Sequence, residues 1–194
     1  LNQKFTFFYM DLKDAIASIT SEDEDGSILF TQDNIDYSKR LGYHLENSFI
    51  YKNWNIGLGA TYLGITSTIN ESLYNPTNYM WSLNLQATLA YNIDKWDTTI
   101  SSQLKHTGKT QGVFTDTDGE LFLGETDAFT WLNASIRTDI TPRINATLGA
   151  RNLLDVVNIN TKSSAGAHTA STSSSRLIGN GRSYFLKLSY NLNF

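Results

Sequence analysis

Apolar and polar residues alternate with a period of two along much of this chain. In residues 4–10, Phe5, Phe7 and Tyr9 share one side. Residues 41–51 group Leu41, Tyr43, Leu45, Phe49 and Tyr51, with His44, Glu46 and Ser48 opposite. Residues 54–62 set Trp54, Ile56, Leu58, Ala60 and Tyr62 against Asn55, Gly57, Gly59 and Thr61. Residues 81–93 alternate longest, with Leu83, Leu85, Ala87, Leu89 and Tyr91 against Ser82, Asn84, Gln86, Thr88 and Asn92. The pattern is weaker over 96–104, where Thr98 and Ser102 fall on the apolar side. Residues 130–140 oppose Leu132, Ala134, Ile136 and Ile140 to Asn133, Ser135, Arg137 and Asp139; residues 144–150 oppose Ile144, Ala146, Leu148 and Ala150 to Asn145, Thr147 and Gly149. The final stretch carries Tyr184, Leu186, Leu188, Tyr190, Leu192 and Phe194 on one side and Lys187, Ser189, Asn191 and Asn193 on the other, with Phe185 as the exception. Successive side chains of a strand point to opposite faces, so each segment predicts a strand with one apolar and one wet face.

The connections alternate as well. Lys52 and Asn53, Asp94 and Lys95, and Thr141 and Pro142 form tight turns, whereas residues 13–35, 64–78, 107–126 and 155–181 are long polar segments. Short turns on one side and long loops on the other describe an outer-membrane barrel. Trp54 and Trp96 follow the tight turns, and Tyr51 and Tyr91 precede them, where a belt of interfacial aromatics belongs. The expected fold is all-β: an antiparallel transmembrane β-barrel segment of about eight strands, most near the ~9–11 residues that cross a bilayer at a tilt. An even count puts both chain ends on the periplasmic side. A soluble β-sandwich or lipocalin-like barrel also alternates, with its apolar face inward. The strand lengths, the amides and charges on the polar faces, and the loop asymmetry favour the membrane barrel.

Composition supports this picture. Hydrophobic residues make up 40% of the chain, which suits strands that offer only alternate residues to lipid. No apolar run approaches the ~18 residues of a spanning helix. Aromatics are abundant, and there is no Cys. A net charge of −4 argues against nucleic acid as a partner. The chain starts Leu1, Asn2, Gln3, Lys4, so an exported precursor is expected to have begun upstream.

Residues 142–158, with Asn152, Leu153, Leu154 and Asp155 at their centre, resemble the penultimate strand of TonB-dependent outer-membrane transporters and the Asn-Leu-Phe-Asp-like element that follows it. Leu154 stands where Phe is commoner. Gly181, Arg182, Ser183, Tyr184, Phe185 and Leu186 resemble the start of that family's last strand, and residues 8–16 its recurring strand-to-loop element. The family has a barrel of about 22 strands with a plugged lumen. The resemblance therefore implies that residues 1–194 are the C-terminal portion of such a barrel, with the plug domain and earlier strands outside this chain. It implies a bacterial outer-membrane location and uptake of a scarce solute such as an iron complex, cobalamin, a glycan or a peptide. Implied partners are outer-membrane lipid, the remainder of the barrel with its plug, TonB through the N-terminal part, and a surface lipoprotein as a further candidate. The other reading is a complete eight-stranded barrel acting as anchor or adhesin, closed between the strands near Phe5 and Leu188.

An enzyme is not expected. The chain has no Gly-x-Ser-x-Gly and no Cys nucleophile, and His44, His106 and His168 are far apart in sequence. His44 and Glu46 share the lumen face and read as a hydrogen-bonded pair. Asp116, Thr117, Asp118, Gly119 and Glu120 resemble a calcium loop, but Gly falls fourth where an EF-hand needs it sixth, so a β-turn is the better reading. Residues 22–25 are four consecutive acids, read as a solvated loop tip. The Asn133 and Asn145 sequons lie within strands and are discounted. No metal or cofactor site is expected. In the transporter reading, loops close over the solute, which makes His168, Arg176, Tyr74 and Tyr79 candidate ligand contacts. The strand carrying Tyr184, Leu186, Leu188, Tyr190, Leu192 and Phe194 is the candidate barrel-assembly signal. Lys105, Arg137, Asp139, Arg151 and Lys187 should face the lumen, where charge avoids lipid.

Overall fold

The alternating segments all become strands of one sheet. The computed structural model describes residues 1–22, 28–67, 79–115, 121–163 and 172–192. In chain order the strands are β1 (Asn2–Glu22), β2 (Ile28–Tyr51), β3 (Trp54–Ser67), β4 (Met80–Ile93), β5 (Thr98–Thr107), β6 (Thr110–Thr115), β7 (Leu121–Thr126), β8 (Phe129–Thr141), β9 (Ile144–Arg151), β10 (Asn158–Ser163), β11 (Thr172–Leu177) and β12 (Ser183–Tyr190). Their spatial order is β11-β10-β7-β6-β1-β2-β3-β4-β5-β8-β9-β12. The eight expected strands are consecutive neighbours in that order, each antiparallel to the next. The sheet is open: β12 ends it on one side, and it is not a neighbour of β1.

Register keeps the two faces separate across the whole wall. Phe7 pairs with Tyr43, Tyr43 with Tyr62, and Tyr62 with Leu83. Further along, Tyr91 pairs with Ile100, Ile100 with Ile136, Ile136 with Leu148, and Leu148 with Leu186. A one-residue slip would move every side chain to the opposite face, so the apolar pattern specifies the register strongly. This apolar face is bare: Leu186 and Leu188 are each 69% exposed and Phe5 66%, while Ile159 is the sole buried hydrophobic among the described residues. Leaving four large apolar side chains such as those of β12 in water forgoes on the order of 10 kcal/mol. That is comparable with the ~5–15 kcal/mol net stability of an ordinary domain. The face therefore needs an apolar solvent, and lipid supplies it.

Aromatic pairs mark its edges. The rings of Trp54 and Tyr91 lie 4.4 Å apart beside the β2–β3 and β4–β5 turns. At the other end Tyr62 and Trp81 stack at 4.6 Å and 11°. Trp54 and Tyr62 are eight positions apart on β3, or roughly 27 Å along the strand and about 20 Å of depth once tilted. That fits an apolar band about 25 Å tall between two aromatic girdles.

The turns on the lower side are stitched to one another. Lys52 takes the left-handed region at φ 50° between β2 and β3. Asn53 Nδ2 donates to the Asn92 carbonyl (2.7 Å) and to Asp94 Oδ2 (2.9 Å), and the Asn92 amide donates to the Asn53 carbonyl. The Asp139 amide donates to the Asp97 carbonyl, and the Asn191 amide to the Arg143 carbonyl. The weak segment at 96–104 starts later than its pattern predicts. Asp94–Trp96 forms a 3₁₀ turn and Asp97 takes φ 44°, so β5 begins at Thr98. Thr98 Oγ1 donates to the Trp96 carbonyl (2.8 Å) and meets Thr138 Oγ1 at 3.0 Å, which satisfies hydroxyls on an otherwise apolar face.

The upper side differs from the expectation of plain polar loops. β1 is 21 residues long, about twice the ~9–11 needed to cross a bilayer, and its ladder with β2 runs out to Glu22 opposite Ile28. The segments 107–126 and 155–181 contain the hairpins β6–β7 and β10–β11. β7 pairs with β10, and β6 meets the outer end of β1 in a short parallel contact of Thr20 and Ser21 with Phe114 and Thr115. Their Thr, Val, Phe and Ile residues suit a pleated backbone, and ladder bonds satisfy main-chain groups that a loop would leave to water.

Candidate functional site

The polar face of β1–β5, β8, β9 and β12 forms the candidate site, a wall of amides, hydroxyls and charges. Across the strands, Thr88 sits opposite Gln103, Gln103 opposite Asn133, and Ser101 opposite Ser135, whose hydroxyls meet at 2.8 Å. Glycines leave room for their neighbours. The position where a Cβ of Gly59 would stand is filled by the Gln86 side chain, and that of Gly57 by Thr88 Oγ1. Phe8 covers Gly42, and Phe185 covers Gly149. This explains the one aromatic that breaks the terminal alternation: Phe185 lies inward over a residue with no side chain. The Arg151 guanidinium sits 5.0 Å from the Phe185 ring centre. Asn55, Thr88, Gln103, Asn133, Arg151 and Phe185 line a concavity of about 380 Å³ in this wall.

His44 Nε2 is 3.1 Å from Glu46 Oε1, and His44 Nδ1 is 2.7 Å from Thr61 Oγ1. A carboxylate, an imidazole and a hydroxyl thus stand in line. His44 and Thr61 are directly opposite in the β2–β3 ladder, so their contact ties the two strands together. Arg137 bonds Asp139 on its own strand at 3.1 Å. Lys105 faces Trp131 across β5–β8, and Lys187 faces Thr147 across β9–β12. Lys105, Arg137, Asp139, Arg151 and Lys187 all lie on the polar face, as the alternation predicts.

The rim above β9 and β12 is held by the Asn152–Asp155 element. Asn152 is 2% exposed and takes φ 52°. Its amide donates to Asn133 Oδ1 (3.0 Å), its Nδ2 donates to the Val156 carbonyl (2.9 Å), and its Oδ1 accepts from the Val156 amide (3.0 Å). The Leu153 amide reaches the Leu132 carbonyl at 2.7 Å, and the Asp155 amide the Asn152 carbonyl at 2.8 Å. Asp155 Oδ1 accepts from the Arg182 amide at 2.8 Å, beside Gly181 at φ 76°. Two polar side chains therefore set where β9 stops and β12 starts. On the β5–β6 corner, Lys109 Nζ donates to Glu125 Oε1 at 2.6 Å. That hydrogen bond, then the Glu125 charge, raises the Lys109 ammonium above its ordinary pKa.

Of the ligand candidates, Tyr79 lies just before β4, its ring 5.9 Å from that of Trp81 in the outer aromatic row. Arg176 is in β11, opposite Ile159. Tyr74 and His168 lie outside the described residues, as do Phe194, most of the acidic run at 22–25 and the turn at 116–120. Tyr184, Leu186, Leu188 and Tyr190 project from edge strand β12 on the apolar face, with Leu192 just beyond its end. Sequence reading missed Gly149 and Asn133 as partners of Phe185 and Asn152. Both contacts cross between strands, and no local pattern encodes them.

Residues 2–190 match the model of the outer membrane protein beta-barrel family. Among solved structures, the chain is similar to P. aeruginosa FpvA bound to heterologous pyoverdines, with TM-score 0.61 and 15% identity. It is also similar to FpvAI in complex with pyocin S2, with TM-score 0.59 and 14% identity. A third is the ferripyoverdine receptor of the outer membrane of Pseudomonas aeruginosa bound to ferripyoverdine, with TM-score 0.59 and 14% identity. Each likeness covers 97% of this chain and 24% of the other, so this chain spans about a quarter of those proteins' length. At such identity the likeness concerns the fold. No curated protein matches the chain in sequence.

Proposed function

Because the chain belongs to the outer membrane protein beta-barrel family, we propose that it forms the C-terminal barrel wall and surface loops of a TonB-dependent transporter for a scarce solute. The observation that carries this reading is the open wall of eight long strands, apolar outside and polar inside, with β12 left as an edge. A wall with a free edge suits a barrel completed by further strands, and a wide barrel leaves room for a plug. The Asn152–Asp155 clasp and the Gly181 turn into β12 support the same assignment. His168 and Tyr74, with Arg176 in β11 and Tyr79 at the upper end of β4, are the proposed solute contacts. An iron complex, cobalamin, a glycan or a peptide are the solute classes in view. TonB acts through the plug-bearing part, and a surface lipoprotein is a further candidate partner. The sheet order, with β1 and β12 not neighbours, gives no support to a closed eight-stranded anchor.

The test is the intact mass and N-terminal sequence of the native polypeptide from a detergent-solubilised outer-membrane fraction. A polypeptide several times larger than 21.7 kDa, or a co-purifying plug-bearing chain, is expected. A folded, detergent-dependent 21.7 kDa chain alone would overturn the transporter reading. Tyr184, Leu186, Leu188, Tyr190, Leu192 and Phe194 are the proposed assembly signal. Phe194→Gln should lower the folded yield in the outer membrane, measured by heat-modifiable gel mobility, and an unchanged yield would remove that role.

A further inference from the structure

The outer face is apolar along most of its height, but it turns cationic at the upper part of β1 and β2. There Tyr9 pairs with Leu41, Asp11 with Lys39, and Lys13 with Tyr37. These positions continue the face of Phe7 and Tyr43, because side chains two apart on a strand share a side. Lys13 is exposed and Lys39 is half-buried. Lys39 Nζ lies 4.7 Å from the centre of the Tyr37 ring, and Lys13 stands directly across from that tyrosine. The two lysines are therefore diagonal neighbours, ~7–8 Å apart at the backbone, a gap that long side chains span. Asp11 is directly across from Lys39, yet neither lysine has an ion-pair partner among the described residues. Two cations thus gather around one tyrosine without a counter-ion.

Their height identifies what meets them. Tyr51 closes β2 at the lower turn, and Lys39 is twelve positions above it. Trp81 of the upper girdle is likewise twelve positions above Ile93 at the next turn. Twelve residues span roughly 41 Å of strand, or about 31 Å of depth once tilted. An apolar band about 25 Å tall ends below that level, and headgroups occupy the next ~5–7 Å. We infer that Lys13, Lys39 and Tyr37 form a seat for the phosphate of an outer-leaflet lipid. Its acyl chains lie over Tyr9 and Phe7 directly beneath, which are 55% and 54% exposed. A phosphate engages ammonium groups within ~4 Å, so one headgroup meets both lysines. The apolar surface continuing below the cations favours a lipid over a free anion, which has no use for it. The inference needs only a membrane barrel and stands apart from the transporter reading.

The test is lysine acylation of the native protein in maltoside micelles, using a water-soluble reagent and reading each lysine by peptide mass spectrometry. The probe is dioleoyl phosphatidic acid added to the micelles. The expected result is acylation slowed about fivefold or more at Lys13 and Lys39. Dioleoylglycerol, which lacks the phosphate, should leave both rates unchanged. Lys39→Gln should restore the reactivity of Lys13 and weaken retention of phosphatidic acid about fivefold, with heat-modifiable mobility confirming that the variant folds. Unprotected lysines, or Lys13 still protected in Lys39→Gln, would overturn the shared seat. Equal slowing at Lys52, on the lower side, would reduce the effect to diffuse micelle charge and overturn it too. Protection by inorganic phosphate alone would mean a free-anion site in place of a lipid seat.

Discussion

The two faces of this sheet are made by the same strands, yet they follow opposite rules. The outer face tolerates large side chains and little polarity: Leu186 sits beside Leu148, and Leu148 beside Ile136. The inner face places Lys187, Thr147 and Arg137 one position away in the same strands. It also places glycine at Gly42, Gly57, Gly59 and Gly149, so that a neighbour's side chain can lie over the backbone. The lesson is that polarity sets the outer face and fit sets the inner one. Lipid adapts to any apolar shape, whereas cross-strand partners on the inner face must match individually.

The largest effect should come from putting charge on the wrong face. Leu186→Lys places an ammonium toward the middle of the apolar band and is expected to cost roughly 2–4 kcal/mol. Ser189→Lys, inward and across from Asn145, should stay within about 0.5 kcal/mol. Urea unfolding in detergent or lipid vesicles measures both, and equal costs would end the distinction between the faces. Next comes fit on the inner face. Gly149→Val drives a branched side chain into the Phe185 ring and should cost about 1–3 kcal/mol. Pairing it with Phe185→Ala should recover part of that loss. Additive costs in the double-mutant cycle would mean the two residues do not share that space.

Asn152 tests the rim, where neither rule is enough. Asn152→Ala removes both side-chain hydrogen bonds to Val156 and gives up an asparagine at positive φ. A loss of about 1–3 kcal/mol is expected, with faster amide exchange at Val156 and Arg182. Unchanged exchange at Arg182 would uncouple the element from β12. The smallest effect belongs to the exposed corner. Glu125 raises the Lys109 pKa, so the folded state holds that proton more tightly than the unfolded chain does. The contribution is present below the unfolded lysine pKa and is lost as pH rises through the higher folded value. Glu125→Gln should return the Lys109 titration, followed by NMR, toward the ordinary lysine range with little change in unfolding. A titration that does not move would detach the shift from this pair.

The period-two pattern by itself determined the long strands, the facing of Lys105, Arg137, Asp139, Arg151 and Lys187, and the tight turns at Lys52, Asp94 and Pro142. Those features are local: alternation and turn chemistry act over a few residues, and one apolar face is enough to fix the facing. Only the tertiary structure decided the rest. It turned the 107–126 and 155–181 segments into hairpins that pair with each other and with β1. It delayed β5 behind a 3₁₀ turn, and it gave Phe185 its place over Gly149 and Asn152 its partner in Asn133. These depend on which backbone lies alongside which. A strand's own sequence states its two faces, but the neighbour it will meet is chosen by the pairing of the whole sheet.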